Sequence, residues 1–256
     1  MKNCLRITVL RIYSNTFGGE YSWRKIVNQL KNSFFIVEGN TDKSALENIF
    51  RKIYKYRNIR FEFTNGDVTS NNEVTVDNVK TIISDIIKPY MKQDKLKKSD
   101  VWQIVQIFDV DGAYVPESAV LDGDSRKFEY TTSTISCNNK ESVLIRNNHK
   151  KEVMKFLLEQ DEINGIPYRC FFMSSNLDHA LYGKQNLSEE DKKKYAYSFY
   201  RMFEGKEKLF LEYLKRDVVN GVPDSYPASW KYIQEDLHSL ERHSNLHIYF
   251  IENPIL

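Results

Sequence analysis

Cysteine is scarce in this sequence. Cys4, Cys137 and Cys170 are scattered and none has a neighbour at metal-ligand spacing. That pattern excludes a disulfide framework or a zinc knuckle and fits a reducing compartment. Long apolar runs are also missing, none approaching the ~18 consecutive residues that a membrane helix needs. The opening segment MKNCLRITVLRIYS is interrupted by Arg6 and Arg11 and is followed by no small-residue cleavage site, so no signal peptide is expected. Neither sign of charge dominates: 37 basic against 35 acidic residues give a net charge of +2. A protein that holds nucleic acid by bulk charge alone is thereby excluded. No internal repeat, low-complexity linker or G-x-x-x-x-G-K-[ST] loop is present, so any ATPase acting with this chain would be a separate protein. A cytoplasmic protein with no membrane segment is expected.

What is present is a chain able to fold. Its 256 residues, 41% hydrophobic and 28% charged, suit one large domain or a core with a smaller helical addition. Residues 33–38 (SFFIVE) form a short apolar run of β-formers ending at Gly39 and predict a buried strand. Asn40 or Thr41 can cap the next segment, where Ala45, Leu46, Ile49, Ile53 and Tyr54 recur at helical spacing. Residues 59–64 (IRFEFT) predict a second strand before an Asn65-Gly66 turn, and 76–91 predict a helix through Val79, Ile82, Ile83, Ile86 and Ile87. Residues 101–108 (VWQIVQIF) predict a third strand running into Asp109-Val110-Asp111-Gly112.

Residues 112–148 carry few periodic signals, and an irregular insertion is expected there, with a hairpin near 128–135. Beyond it come a helix over 150–161, a fourth strand over 168–173 (YRCFFM) and a helix opening at Leu177. A charged, aromatic-bearing helical segment is expected over 188–219, a helix over 229–242, and a closing strand over 246–251 (LHIYFI). The alternation predicts an α/β fold: a mainly parallel sheet of about four strands, helices on both faces, and C-terminal helical additions. The implied organisation is an N-terminal extension over 1–30, a core over 31–183 and a helical addition with its closing strand over 184–256.

In such sheets ligands bind at the carboxyl ends of the strands. Two predicted strands end in acids: Glu38 after the first, Asp109 and Asp111 after the third. Asp109 and Asp111, two residues apart, project to the same side in extended backbone. If the two strands are neighbours, three carboxylates converge within reach of Mg²⁺ or Mn²⁺, hard cations that take oxygen ligands and relieve the repulsion of crowded acids.

FFIVEGNTDKSAL followed by FDVDG resembles the Toprim family, whose signature is a Glu ending a first strand, often as V-E-G, and an Asp-x-Asp after a later one. Toprim domains occur in topoisomerases, bacterial primases, ribosomal RNA maturases and the OLD and RloB-like nucleases, the last two largely in antiphage defence. The resemblance implies a magnesium- or manganese-dependent enzyme acting on the phosphodiester bonds of RNA or DNA, tRNA among the candidates. Glu38 would match the family's first-strand acid, active in acid/base chemistry or metal binding, and Asp109 and Asp111 its metal ligands. With no room for the extra domains of topoisomerases or primases, the small stand-alone nucleases are the nearest branch. SSNLDHAL, at 174–181, resembles the Ser-Asn strand end of RloB-like proteins, although those continue with Pro, an aromatic and Glu. A nuclease of this kind needs restraint, so a regulatory partner, a separate ATPase or a homo-oligomer is implied beside the nucleic-acid substrate.

Plainer roles compete residue by residue. Glu38 and Asp42 could serve only at a helix N-terminus, and Asp178, a further candidate acid with Asp42, could be a helix cap beside His179. Asp122 and Asp124 read as a solvated turn, and His238, His243 and His247 as surface or core residues. The aromatics over 195–203 read as core at helical spacing before base-stacking groups. Arg126 and Lys127 are candidates to neutralise a scissile phosphate. IFDVDGAYV also resembles the first motif of a second enzyme class, the haloacid-dehalogenase-type phosphatases, and that resemblance implies Asp109 as nucleophile, Asp111 as acid/base and Ser174 as the downstream hydroxyl. A third reading is a non-catalytic, Toprim-like partner-binding module.

Overall fold

A computed structural model describes residues 31–254 apart from 56 and 65–67. The 1–30 extension, Cys4 and the expected Asn65-Gly66 turn lie outside the described residues. The fold is α/β, with a five-stranded sheet in the order β2-β1-β3-β8-β7. In chain order its strands are β1 (Asn32–Val37), β2 (Asn58–Phe63), β3 (Val101–Asp109), β7 (Glu162–Ile163) and β8 (Ile166–Met173). The four longer strands are parallel, and the two-residue β7 adds an antiparallel edge beyond the expected four.

Period-2 alternation divides the sheet's side chains between two cores. Phe35, Val37, Val105, Ile107, Phe171 and Met173 enter one, while Phe34, Ile36, Ile104, Phe108, Cys170 and Phe172 enter the other. Helix α1 (Asn40–Ile53), which joins β1 to β2, covers the first face through Ala45, Leu46, Ile49 and Phe50. Helix α2 (Val79–Gln93), joining β2 to β3, covers the second through Val79, Ile83 and Ile87. Phe35 is fully buried, stacked on Phe61 at 4.7 Å and edge-on to Phe50 at 4.9 Å. Each such buried side chain contributes about 1.5–3 kcal/mol.

The 112–148 segment is more ordered than its sequence suggests. It forms a small sheet of β4 (Val120–Asp122), β5 (Glu129–Tyr130) and β6 (Ile135–Cys137), in which β5 and β6 make the expected hairpin and β4 pairs parallel to β6. Helix α3 (Lys140–Leu158) then begins ten residues before the expected start at Lys150. Asn139 caps it, its side chain accepting the Ser142 N–H at 3.1 Å. The buried face runs Val143, Asn147, Lys150, Val153, Met154 and Leu157. Two polar members hide its helical period from any reading based on apolar residues.

Beyond β8 come α4 (Leu177–Tyr182), α5 (Glu189–Phe203), α6 (Glu207–Tyr213) with a π turn over Leu214–Val218, α7 (Tyr226–Ile233) and α8 (Leu246–Glu252). The helix expected over 229–242 starts at Tyr226 and stops at Ile233, and turns and bends occupy most of 234–245. The closing strand expected over 246–251 is instead helix α8. The chain does meet the sheet, but only at the bridge between Ser244 and Met173. There the Asn245 side chain accepts the Phe172 N–H and the Ser244 hydroxyl donates to the Phe172 carbonyl, each at 2.8 Å, so side chains meet the edge of β8 beyond its short pairing with β7. Leu246, Ile248 and Tyr249 are buried in the first core instead, and tertiary packing overrides their β propensity.

Candidate active site

The reversal of strand order places a crevice where a doubly wound sheet binds ligands: from β1 the chain crosses to β2 on one side, and β3 lies on the other. Glu38 follows β1 and Asp109 ends β3, so the two are neighbours. The Asp109 N–H donates to Glu38 Oε1 at 3.2 Å, tying the two strand ends together.

Around them lies a cleft of about 950 Å³. Glu38, Asp42, Asp109, Asp111 and Asp178 all line it, together with Asn176, Lys192, Lys193, Tyr197 and Tyr200. Every acid singled out from the sequence as a candidate ligand is therefore brought to one place. Arg126 and Lys127 are not: they are exposed on the small-sheet segment and are absent from the cleft lining. Asp122 and Asp124 are likewise exposed.

Each acid is held differently. Asp42 is buried in the first turn of α1, and its Oδ2 accepts the Gly39 N–H at 2.8 Å. Burial pushes its carboxyl up to about 6; the Gly39 N–H opposes the rise, Asp178 adds to it and Lys192 opposes it. Asp109 Oδ1 accepts the Leu177 N–H at 2.9 Å. Burial, then the charges of Asp42 and Asp111, hold this carboxyl well above the usual range, with Lys150 opposing. Asp178 is also raised, by burial first, with Lys192 Nζ at 3.9 Å from Oδ2 working against it. Its Oδ1 is buried without a hydrogen-bond partner.

Asp111 sits in the left-handed region at φ 52°, where its N–H donates to the Ser175 carbonyl at 2.5 Å. Its Oδ2 receives Lys150 Nζ at 2.6 Å, with Arg146 Nη1 at 3.7 Å, and Arg146 also donates to its carbonyl oxygen at 3.1 Å. Lys150 is fully buried and also lies 3.8 Å from Glu38 Oε1. Both cations come from α3, whose first ten residues lay in the expected irregular insertion, and neither was singled out from the sequence as a site residue. The signal was there in the 143, 147, 150, 154 spacing. At the next position, Gly112 has φ 65°, and an added Cβ would stand 2.6 Å from Leu240 Cδ2 and 2.9 Å from Ile135 Cδ1. Gly112→Ala is expected to cost about 2–4 kcal/mol through strain and overpacking; an unchanged urea midpoint would contradict this packing of the DVDG turn.

The donor set fits a hard divalent cation. All its members are carboxylates, burial raises Asp42, Asp109 and Asp178, neighbouring acids of the group add to the rise at Asp42 and Asp109, and one oxygen of Asp178 is buried and unpartnered. As the side chains stand, no three acids, histidines or cysteines among the described residues close on one point to hold an ion. Binding therefore requires side-chain movement within the cleft.

Other candidates have structural work. Ser174 is fully buried, donating to the Glu241 carbonyl and accepting the His243 N–H at 2.7 Å. Asn176 caps α4, accepting the His179 N–H at 2.9 Å. His243 and His247 are buried and paired with Glu241 and Asp224, and His238 stacks on Tyr232. Of the aromatics over 195–203, Phe199 and Phe203 are core, whereas Tyr197 is 65% exposed and faces the cleft with Tyr200. Comparison of the chain with protein-family models, with curated proteins and with solved structures finds no match.

Proposed function

We propose that this chain is a Toprim-like, Mg²⁺- or Mn²⁺-dependent nuclease that hydrolyses phosphodiester bonds. The observation that carries this reading is the convergence of Glu38, Asp109 and Asp111, joined by Asp42 and Asp178, in one cleft at the ends of adjacent parallel strands. The resemblance of VEG and DVDG to the Toprim signature names the chemistry such a cleft would perform. By the same resemblance, the protein is proposed to act in antiphage defence under a partner's control.

A divalent ion bound among these acids would neutralise charge on the phosphate and activate water for attack. Glu38, oriented by the Asp109 N–H, is placed to accept a proton from the attacking water. Lys192 and Lys193, on the α5 wall, supply positive charge toward the substrate backbone. Tyr197 and Tyr200 on that wall offer faces on which unpaired bases can stack. The phosphatase reading loses support because Ser174 is buried and bound to backbone outside the cleft lining.

Incubating the native protein with pooled tRNA, single-stranded RNA, plasmid and linear DNA, with Mg²⁺, Mn²⁺ or EDTA, tests the activity. Cleavage that survives EDTA would refute the mechanism, and silence on every substrate would favour a partner-binding module. Tyr197→Ala is expected to weaken binding of a single-stranded oligonucleotide roughly 5–150-fold, the range that one lost base stack covers. Fluorescence anisotropy in EDTA reads this apart from cutting, and an unchanged Kd would remove α5 from the substrate path.

A further inference from the structure

Two sides of the cleft differ in how their acids are neutralised. On one side, α3 brings Lys150 Nζ to 2.6 Å from Asp111 Oδ2 and 3.8 Å from Glu38 Oε1, with Arg146 Nη1 3.7 Å from the same Asp111 oxygen. Lys150 is fully buried on a 19-residue helix capped by Asn139, so this ammonium is a fixture and not a surface charge passing through. On the other side, Asp109, Asp42 and Asp178 share the cleft with Lys192, which comes no nearer than 3.9 Å to Asp178 Oδ2. Asp178 is 6% exposed, and its Oδ1 has no hydrogen-bond partner.

We infer that Lys150 fills the cation position between Glu38 and Asp111, so that the cleft takes one divalent ion per chain, on the Asp109 side toward Asp42 and Asp178. This deepens the metal-dependent reading above and rests on it. A second divalent ion against Asp111 would compete for an oxygen already held by one cation and faced by another, and like charges at such distances repel strongly. Formal charge agrees. Seven acids and three lysines line the cleft, and with Lys150 and Arg146 against the acids the formal sum is two negative charges, the charge of a single divalent ion. A protein-borne ammonium would then stand where a two-metal nuclease carries its second ion.

Titration of the full chain with Mn²⁺ at neutral pH, read by the EPR signal of free Mn²⁺, tests the inference without relying on activity. One Mn²⁺ per chain is expected. Asp109→Asn should weaken it by more than roughly a hundredfold, beyond what the loss of an outer partner costs, whereas Asp111→Asn should keep one ion at a similar Kd. Lys150→Met, where circular dichroism shows it folded, should take up a second ion, and a folded variant that stays at one overturns the inference. So does a native stoichiometry of two, with the metal-dependent reading left standing, or an Asp111→Asn loss equal to that of Asp109→Asn; these need no Lys150 variant. A native chain that binds no Mn²⁺ overturns the metal-dependent reading itself.

Discussion

Glu38→Gln lowers metal-dependent cleavage by at least about a hundredfold, the lower end of what a positioned general base contributes, while thermal stability changes little. Both halves follow from the site. The amide oxygen of glutamine can still accept the Asp109 N–H that Glu38 Oε1 accepts at 3.2 Å, so the junction of β1 and β3 is kept. What is lost is the carboxylate's negative charge and its ability to take a proton from water. Initial rates under saturating Mg²⁺, beside thermal melts of both proteins, separate the two effects. A variant that melts far below the native protein would make Glu38 a structural acid. A variant that cuts at the native rate would assign the chemistry elsewhere in the cleft.

Lys150→Met is expected to destabilise the fold by about 3 kcal/mol, because it leaves Asp111, and in part Glu38, facing a buried position from which the charge has been removed. For a chain of this size that is a fall in Tm of roughly 6–12 °C. The methionine fills nearly the same volume in the stripe of Val143, Asn147, Val153 and Met154, so packing is largely preserved and the loss is electrostatic. Adding Asp111→Asn should recover a good part of it, since removing both partners of a buried pair costs far less than removing one. The double-mutant cycle measures the coupling directly. Equal and additive losses would mean that Lys150 and Asp111 do not act as a pair in solution, contrary to their 2.6 Å contact.

The parts of this molecule that sequence reading recovered are those where one physical signal dominates. FFIV, VWQIVQIF and YRCFFM are buried on both faces, and such runs between turn residues declare themselves as strands. Their terminal acids were legible for the same reason, since a charge directly after a buried strand sits at a fixed place on the sheet. Helix α3 was half lost because Asn147 and Lys150 occupy core positions, and the eye for apolar periodicity passes over polar residues buried for electrostatic reasons. For Asp42 and Asp178 the sequence supports plain helix roles as readily as site roles. Asp42 does hold the first turn of α1 through Gly39, and its approach to Asp109 and Asp178 is a tertiary fact that no local spacing encodes. The error at 246–251 is of another kind. LHIYFI is a good strand sequence, but its Leu246, Ile248 and Tyr249 enter the first core from a helix, and the chain touches β8 only through Ser244.

Arg126 and Lys127 illustrate the limit on guessing substrate contacts. Proximity in sequence to DVDG suggests them, but both are exposed and outside the cleft lining, and the cations near the acids come from α3 and α5 instead.

The most direct test of the central claim is a cleavage time course for native protein and Asp109→Asn, run in parallel with Mn²⁺ and with EDTA on the pooled nucleic-acid substrates. The account predicts cutting by native protein with Mn²⁺ and in none of the other three reactions. Equal cutting by Asp109→Asn, or cutting by native protein in EDTA, would contradict a metal-dependent carboxylate site at the ends of β1 and β3.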